Sequence, residues 1–150
     1  MKTIQEVRQL LSVIEPDERV YAQIDNEDIP QLQSLLRDGE AWLGARAVLA
    51  LSRLKNELAY RLIKEAATAK RNELRVAVAV GLRFLPDFFR EEILGRLLTD
   101  DDLGVKRIAI YSISDRPNKS IRKQLQLLSV HDKHDYIKTI SREKLSIIQY

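Results

Sequence analysis

Leu43-Gly-Ala-Arg-Ala47-Val-Leu-Ala50-Leu51, Leu74-Arg-Val-Ala-Val78-Ala-Val-Gly81-Leu82 and Val105-Lys-Arg-Ile-Ala109-Ile-Tyr-Ser112-Ile113 superimpose without a gap. Each opens on a large apolar residue, has a small or medium one four positions later, a small one at seven and an apolar one at eight. The starts are 31 residues apart both times, and a more polar copy, Ile137-Lys-Thr-Ile-Ser141-Arg-Glu-Lys144-Leu145, follows after 32. At about 100° per residue, offsets 0, +4, +7 and +8 share one side of a helix. A fixed period of this length marks an array in which each repeat is one supersecondary unit. The β-branched run Val76–Val80 is therefore read as helix, because its register with Ala47 and Ala109 places it there.

The residues upstream keep the same beat. Leu32, Ile63, Leu94 and Leu125 recur every 31 residues, and so do Leu35, Ala66, Leu97 and Leu128. Asp25, Asn56, Asp87 and Asn118 share that interval, and Asp and Asn are favoured helix N-caps. Pro86 and Pro117 stand just before two of these caps, where a preceding helix must have ended. Each unit thus reads as two helices. The first (A) is expected over 28–37, 57–69, 88–98 and 119–129, and the second (B) over 42–54, 73–84, 104–114 and 136–148. Residues 1–14 form a further amphipathic helix through Ile4, Val7, Leu11 and Ile14, stopped by Pro16. A short helical piece around Val20–Ile24 leads into the array. The expected organisation is an N-terminal helical cap, 1–24, and one continuous domain, 25–150, with repeats at about 25–55, 56–86, 87–117 and 118–150.

The D-x-x-V-R-x-x-A-x-x-A-L pattern at the start of the second helix resembles HEAT repeats, especially the short phycobilisome-lyase-type variety. Thr99-Asp-Asp-Asp-Leu-Gly-Val105-Lys-Arg-Ile-Ala109-Ile-Tyr-Ser-Ile113 carries the likeness best, followed by Glu73-Leu-Arg-Val-Ala-Val-Ala-Val-Gly-Leu-Arg-Phe-Leu85. The resemblance implies an all-α, right-handed α-solenoid of about four helix pairs, with A helices outside and B helices lining the inner curve. It specifies architecture far better than activity, because HEAT families include scaffolds, transport receptors, chromophore lyases and DNA repair enzymes. The W-x-x-L-G and T-P-L-H signatures of tetratricopeptide and ankyrin repeats are absent.

Composition narrows the function classes. The 150 residues include 25 Lys+Arg, 22 Asp+Glu and no Cys, so disulfides, thiol catalysis and Cys-based zinc sites are excluded. No apolar run reaches the ~18–20 residues of a membrane span. Met1–Leu10 has no signal-peptide apolar segment, so a cytoplasmic chain is expected. A net charge of +3 does not by itself imply nucleic acid, although residues 1–30 hold three basic and seven acidic residues and leave the rest moderately basic.

Candidates for chemistry are few. His131-Asp-Lys-His134-Asp135 contains both histidines and could suggest a small metal site, but it occupies the same A–B turn as Asp100-Asp101-Asp102, where polar residues are expected anyway. No metal and no cofactor are expected. Ser-x-x-Lys occurs at Ser52–Lys55, Ser120–Lys123 and Ser141–Lys144, the spacing of a serine nucleophile with a lysine base; its companion motifs are missing. The three aspartates precede Val105-Lys106-Arg107 at a helix start, where they complement the macrodipole. The five glycines form no phosphate loop. An enzyme is therefore not expected.

What remains is a surface. Offsets +2, +6 and +9 point away from the A layer, so Leu49, Val80 and Tyr111 stack at equal spacing, flanked by Arg53, Arg83 and Arg107. Aligned exposed apolar residues mark contact sites, and aromatic residues and Arg are enriched at interfaces. The expected function is a non-catalytic adaptor holding a partner protein or peptide on the concave face of the B helices. Two alternatives stay open: a nucleic-acid binder using Arg46, Arg53, Arg75, Arg83, Lys106 and Arg107, or a lyase- or enzyme-associated HEAT subunit. So does the possibility that neighbouring helices or the N-terminal cap cover the row.

Overall fold

The computed structural model of the chain describes residues 1–149, and its regular structure there is entirely helical. Packing divides the chain into two compact units that meet at Leu85 and Pro86, one residue from the expected join between the second and third repeats. The single continuous array expected for 25–150 is thus divided between two compact units.

The first unit holds α1 (Ile4–Leu11), α2 (Glu18–Tyr21), α3 (Ile29–Asp38), α4 (Ala41–Arg53), α5 (Glu57–Ala66) and α6 (Asn72–Gly81). Helix α4 packs on α3, α5 and α6, while α1 lies on α3 and α4. The second unit holds α7 (Asp87–Leu97), α8 (Leu103–Tyr111), α9 (Lys119–His131) and α10 (Asp135–Ile147). There α7 contacts α8 and α9, and α10 contacts α8 and α9. All eight expected A and B helices form, most of them within one to three residues of the expected ends.

The caps explain why the helices begin where they do. Asn56 accepts from the amides of Leu58 and Ala59, and Asn118 from that of Ile121. Each satisfies N–H groups that have no partner within the helix. Asp25 caps a 3-10 turn, Asn26–Asp28, which runs into α3. Asp87 departs from the pattern: α7 starts one residue early, Pro86 takes the cap position, and Asp87 pairs with Arg90 at 2.7 Å. The N-terminal segment is fastened by Asp28, which is fully buried and accepts from the Lys2 amide at 2.8 Å and the Lys2 ammonium at 3.0 Å.

The core follows the repeat register. Leu43, Ala47, Ala50, Leu51 and Leu54 are buried, as are Leu74, Val78, Leu82 and Leu85. In the second unit Val105, Ala109 and Ile113 are buried, but the place eleven residues after Val105, which Leu54 and Leu85 fill in the earlier repeats, falls on exposed Arg116. Helix α8 stops at Tyr111, so the helical periodicity no longer applies there. Helix α6 likewise ends early, in the 3-10 turn Leu82–Phe84, before Pro86.

Candidate functional site

Arg53 closes α4 and is not a free surface charge. Its guanidinium lies 4.0 Å from the Tyr21 ring and 4.2 Å from the Phe84 ring. It binds the Glu18 carboxylate through Nη2 and Nε, with the shorter contact at 2.5 Å, and donates to the Leu49 carbonyl at 2.6 Å. The Arg83 guanidinium lies 4.7 Å from the same Phe84 ring centroid. The hydrogen bond from Arg53 holds the Glu18 carboxyl below its ordinary value. The side chain of Arg53 is only 16% exposed, so the N-terminal cap covers this end of the expected row. Ser52, placed on the outward side by its register, is buried too, because α6 approaches α4 closely there: a Cβ on Gly81 would stand 2.9 Å from Ser52 Cβ.

The other basic residues of the B helices are also engaged inside the fold. Arg46 donates to the carbonyls of Leu11 at 2.6 Å, Val13 at 2.5 Å and Ile14 at 3.1 Å, closing the C-terminal end of α1. Arg75 reaches the carbonyls of Ala69 and Lys70. Lys106 is buried against Asp132. Of the six basic residues in the expected nucleic-acid face, Arg83 and Arg107 are the exposed ones. A phosphate-binding stripe uses several cations facing solvent together; of the four such residues in the first unit, Arg83 is the exposed one.

Between α4 and α6, Trp42, Ala45, Arg46, Asn72, Glu73 and Val76 line a shallow trough of about 450 Å³. The Arg46 guanidinium sits 5.1 Å from the Trp42 ring centroid. Through its carbonyl bonds, the same guanidinium holds Val13 and Ile14 beside it, and Ile14 is 91% exposed. Half of Trp42 is exposed, as is 41% of Val80, while Leu49 is half-buried. The trough takes in Ala45 and Val76, both at the outward offset +2, and adds Trp42, which the outward offsets had not included. The signal was available: offset −1 lies within about 60° of +2 on a helical wheel.

Tyr111 and Arg107 belong to the second unit, on α8, and both are exposed. The Tyr111 hydroxyl lies 3.5 Å from that of Tyr136, which raises the Tyr111 pKa. Lys144 donates to the Tyr111 carbonyl at 3.4 Å, and burial lowers its own pKa.

A cavity of about 490 Å³ opens in this unit beside the turns that follow α7 and α9. Leu98, Leu127 and Leu128 wall it, with Lys106 and Asp132 among its polar lining. The Lys106 ammonium donates to Asp132 Oδ2 at 2.6 Å, and the His134 amide donates to Asp132 Oδ1 at 2.9 Å. Burial pushes the Asp132 carboxyl up, but these hydrogen bonds and the Lys106 charge bring it below the ordinary carboxylate value.

The remaining sequence candidates resolve structurally. His131 ends α9 and lines the cavity, whereas His134 is the N-cap residue of α10. Among the described residues no group of three His, Asp or Glu could hold a metal ion. Asp102 caps α8 by accepting from the Val105 amide, and Asp100 accepts from the Asp102 amide. Ser52 and Ser141 are buried, out of reach of a substrate, and Ser120 is exposed on the first turn of α9. Among the described residues no helix is long and apolar enough to cross a membrane. No protein-family model matches the chain, and none of the curated proteins is significantly similar to it.

Proposed function

We propose that the chain is a non-catalytic protein-interaction module built from HEAT-like helix pairs of a right-handed solenoid, which docks apolar side chains of a partner protein or peptide on the α4–α6 face. The HEAT-like reading is supported by the 31-residue period, the Asn and Asp caps and the small residues where B helices meet. The binding reading is carried by one observation. Trp42, Val13 and Ile14 are held exposed around a single guanidinium whose hydrogen bonds are already satisfied by the backbone. Such an arrangement fixes an apolar and aromatic surface rigidly without needing it for the core. Rigid aromatic residues in partly apolar surroundings are what binding hot spots use. The trough runs between two helices, and an extended or helical peptide laid along it would meet Trp42 and Val76 together.

Trp42 is the single tryptophan, so its fluorescence reports directly on this surface. The test is selection of peptides from a random displayed library on the wild-type protein, followed by titration of the selected peptides. Binding should change Trp42 emission, and Ile14→Asp should weaken it at least tenfold with the melting temperature little changed. Selected peptides that bind wild type and Ile14→Asp equally, with no Trp42 response, would remove this surface from consideration.

A further inference from the structure

The cavity of the second unit carries a different recognition chemistry. Lys106 is 9% exposed, and its ammonium has three donors, of which one goes to Asp132 Oδ2. Among the described residues, Asp132 is the acceptor the protein gives it. The donors not directed at Asp132 are open to an acceptor in the cavity. The cavity that Lys106 lines provides the room for one, about 490 Å³, within the size range of small-molecule sites. Asp132 already accepts at both oxygens, from Lys106 and from the His134 amide, so it orients the ammonium. His131 and Lys133 add donors at the rim, and Asp101, the other carboxylate of the lining, is exposed to water. Leu98, Leu127 and Leu128 supply an apolar wall, with Leu127 half exposed.

From these elements we infer that the cavity binds a carboxylate carried on a short apolar body, with the carboxylate on the Lys106 ammonium and the apolar part against the three leucines. Two sources share that chemistry: a free aliphatic monocarboxylate, or the C-terminal carboxylate of a peptide ending in an aliphatic residue. The site lies apart from the α4–α6 surface and does not depend on the adaptor reading.

The experiment titrates the full-length protein with octanoate and with octanamide, by calorimetry and by amide chemical shifts. A second arm uses a tripeptide ending in leucine, as the free acid and as the C-terminal amide. The expected result is saturable binding of at least one acid, with shifts confined to the cavity residues, and binding of its matched amide weaker by about tenfold or more. If octanoate binds, the source is a free carboxylate; if the tripeptide acid alone binds, it is a chain terminus. Lys106→Met combined with Asp132→Leu removes both charges together and should abolish the preference for acid over amide. Should that variant fail to fold, Leu128→Trp fills the cavity without touching the ion pair and should weaken acid binding at least tenfold. Equal binding of acid and amide, binding unchanged by Leu128→Trp, or no saturable binding in either arm would each overturn the assignment.

Discussion

Ser52 Cβ occupies the space that a side chain on Gly81 would need, 2.9 Å from where its Cβ would stand. That contact explains why the seventh offset is glycine in this repeat, where Ala50 and Ser112 fill it in others. Here α6 meets a rigid Cβ of α4, not the far end of a flexible chain. Gly81→Ala should therefore destabilise the protein by about 1–3 kcal/mol through overpacking, although alanine favours a helix by about 1 kcal/mol over glycine. Adding Ser52→Gly should recover part of the loss. Urea melts of the two single variants and the double variant measure the coupling. A Gly81→Ala protein as stable as wild type would contradict the close approach.

Leu94 tests the core register of the second unit. It is 1% exposed in the middle of α7. Leu94→Ala should cost about 2–5 kcal/mol, as the lost transfer free energy and the residual cavity add. Arg107→Ala, at an exposed position of α8, should stay within about 0.5 kcal/mol of wild type. Denaturant unfolding of the pair gives the contrast directly.

The helices were legible because three independent registers repeat at one interval, and packing keeps that interval wherever a helix is long enough. The pattern fails at its ends for local reasons. Pro86 takes the cap position expected for Asp87, and α8 closes at Tyr111 before its last core offset. The destinations of the basic side chains were not legible. Arg46 reaches carbonyls 32 to 35 residues away, and Arg71 reaches the carbonyls of Gly39 and Leu36 at similar separations. A long side chain can lie along the neighbouring repeat or extend into solvent, and spacing alone does not choose between them. Which side chains stand exposed as a surface is decided by those destinations. Arg46, turned toward the end of α1, brings Ile14 beside Trp42.

The same destinations predict weak affinity for nucleic acid. With Arg46, Arg53 and Arg75 held by carbonyls or Glu18, and Lys106 by Asp132, four of the six basic residues expected to contact phosphates are already engaged and less able to displace counterions. Gel shifts with generic duplex DNA and single-stranded RNA should show no complex at 150 mM salt. A micromolar complex whose affinity falls steeply between low and physiological salt, and that Arg83→Ala weakens, would reverse this expectation.

The acid response should divide into two opposing parts. Burial raises the Glu91 carboxyl above its ordinary value, with Asp87 adding to the shift and Arg90 opposing it. Its folded value therefore lies above the unfolded one, near 4.3, so ionised Glu91 subtracts stability at neutral pH. That penalty relaxes as pH falls through the folded value toward the unfolded one. Asp28 and Asp132 behave oppositely. Burial acts to raise both, but the amides of Asp25 and Lys2 with the Lys2 ammonium lower Asp28, and Lys106 with the His134 amide lowers Asp132. Their contribution is complete above the unfolded value near 3.9 and is lost as pH falls through the depressed folded values. Glu91→Gln should thus be more stable than wild type at pH 7 and lose that advantage toward pH 4. Asp132→Asn should be less stable at pH 7, because it leaves the buried Lys106 charge unbalanced, by about 3–5 kcal/mol. Its stability should then fall less than that of wild type on acidification below about pH 4. Urea melts from pH 3 to 7 separate the two. An Asp132→Asn protein with the wild-type acid slope would show that the buried pair contributes nothing to it.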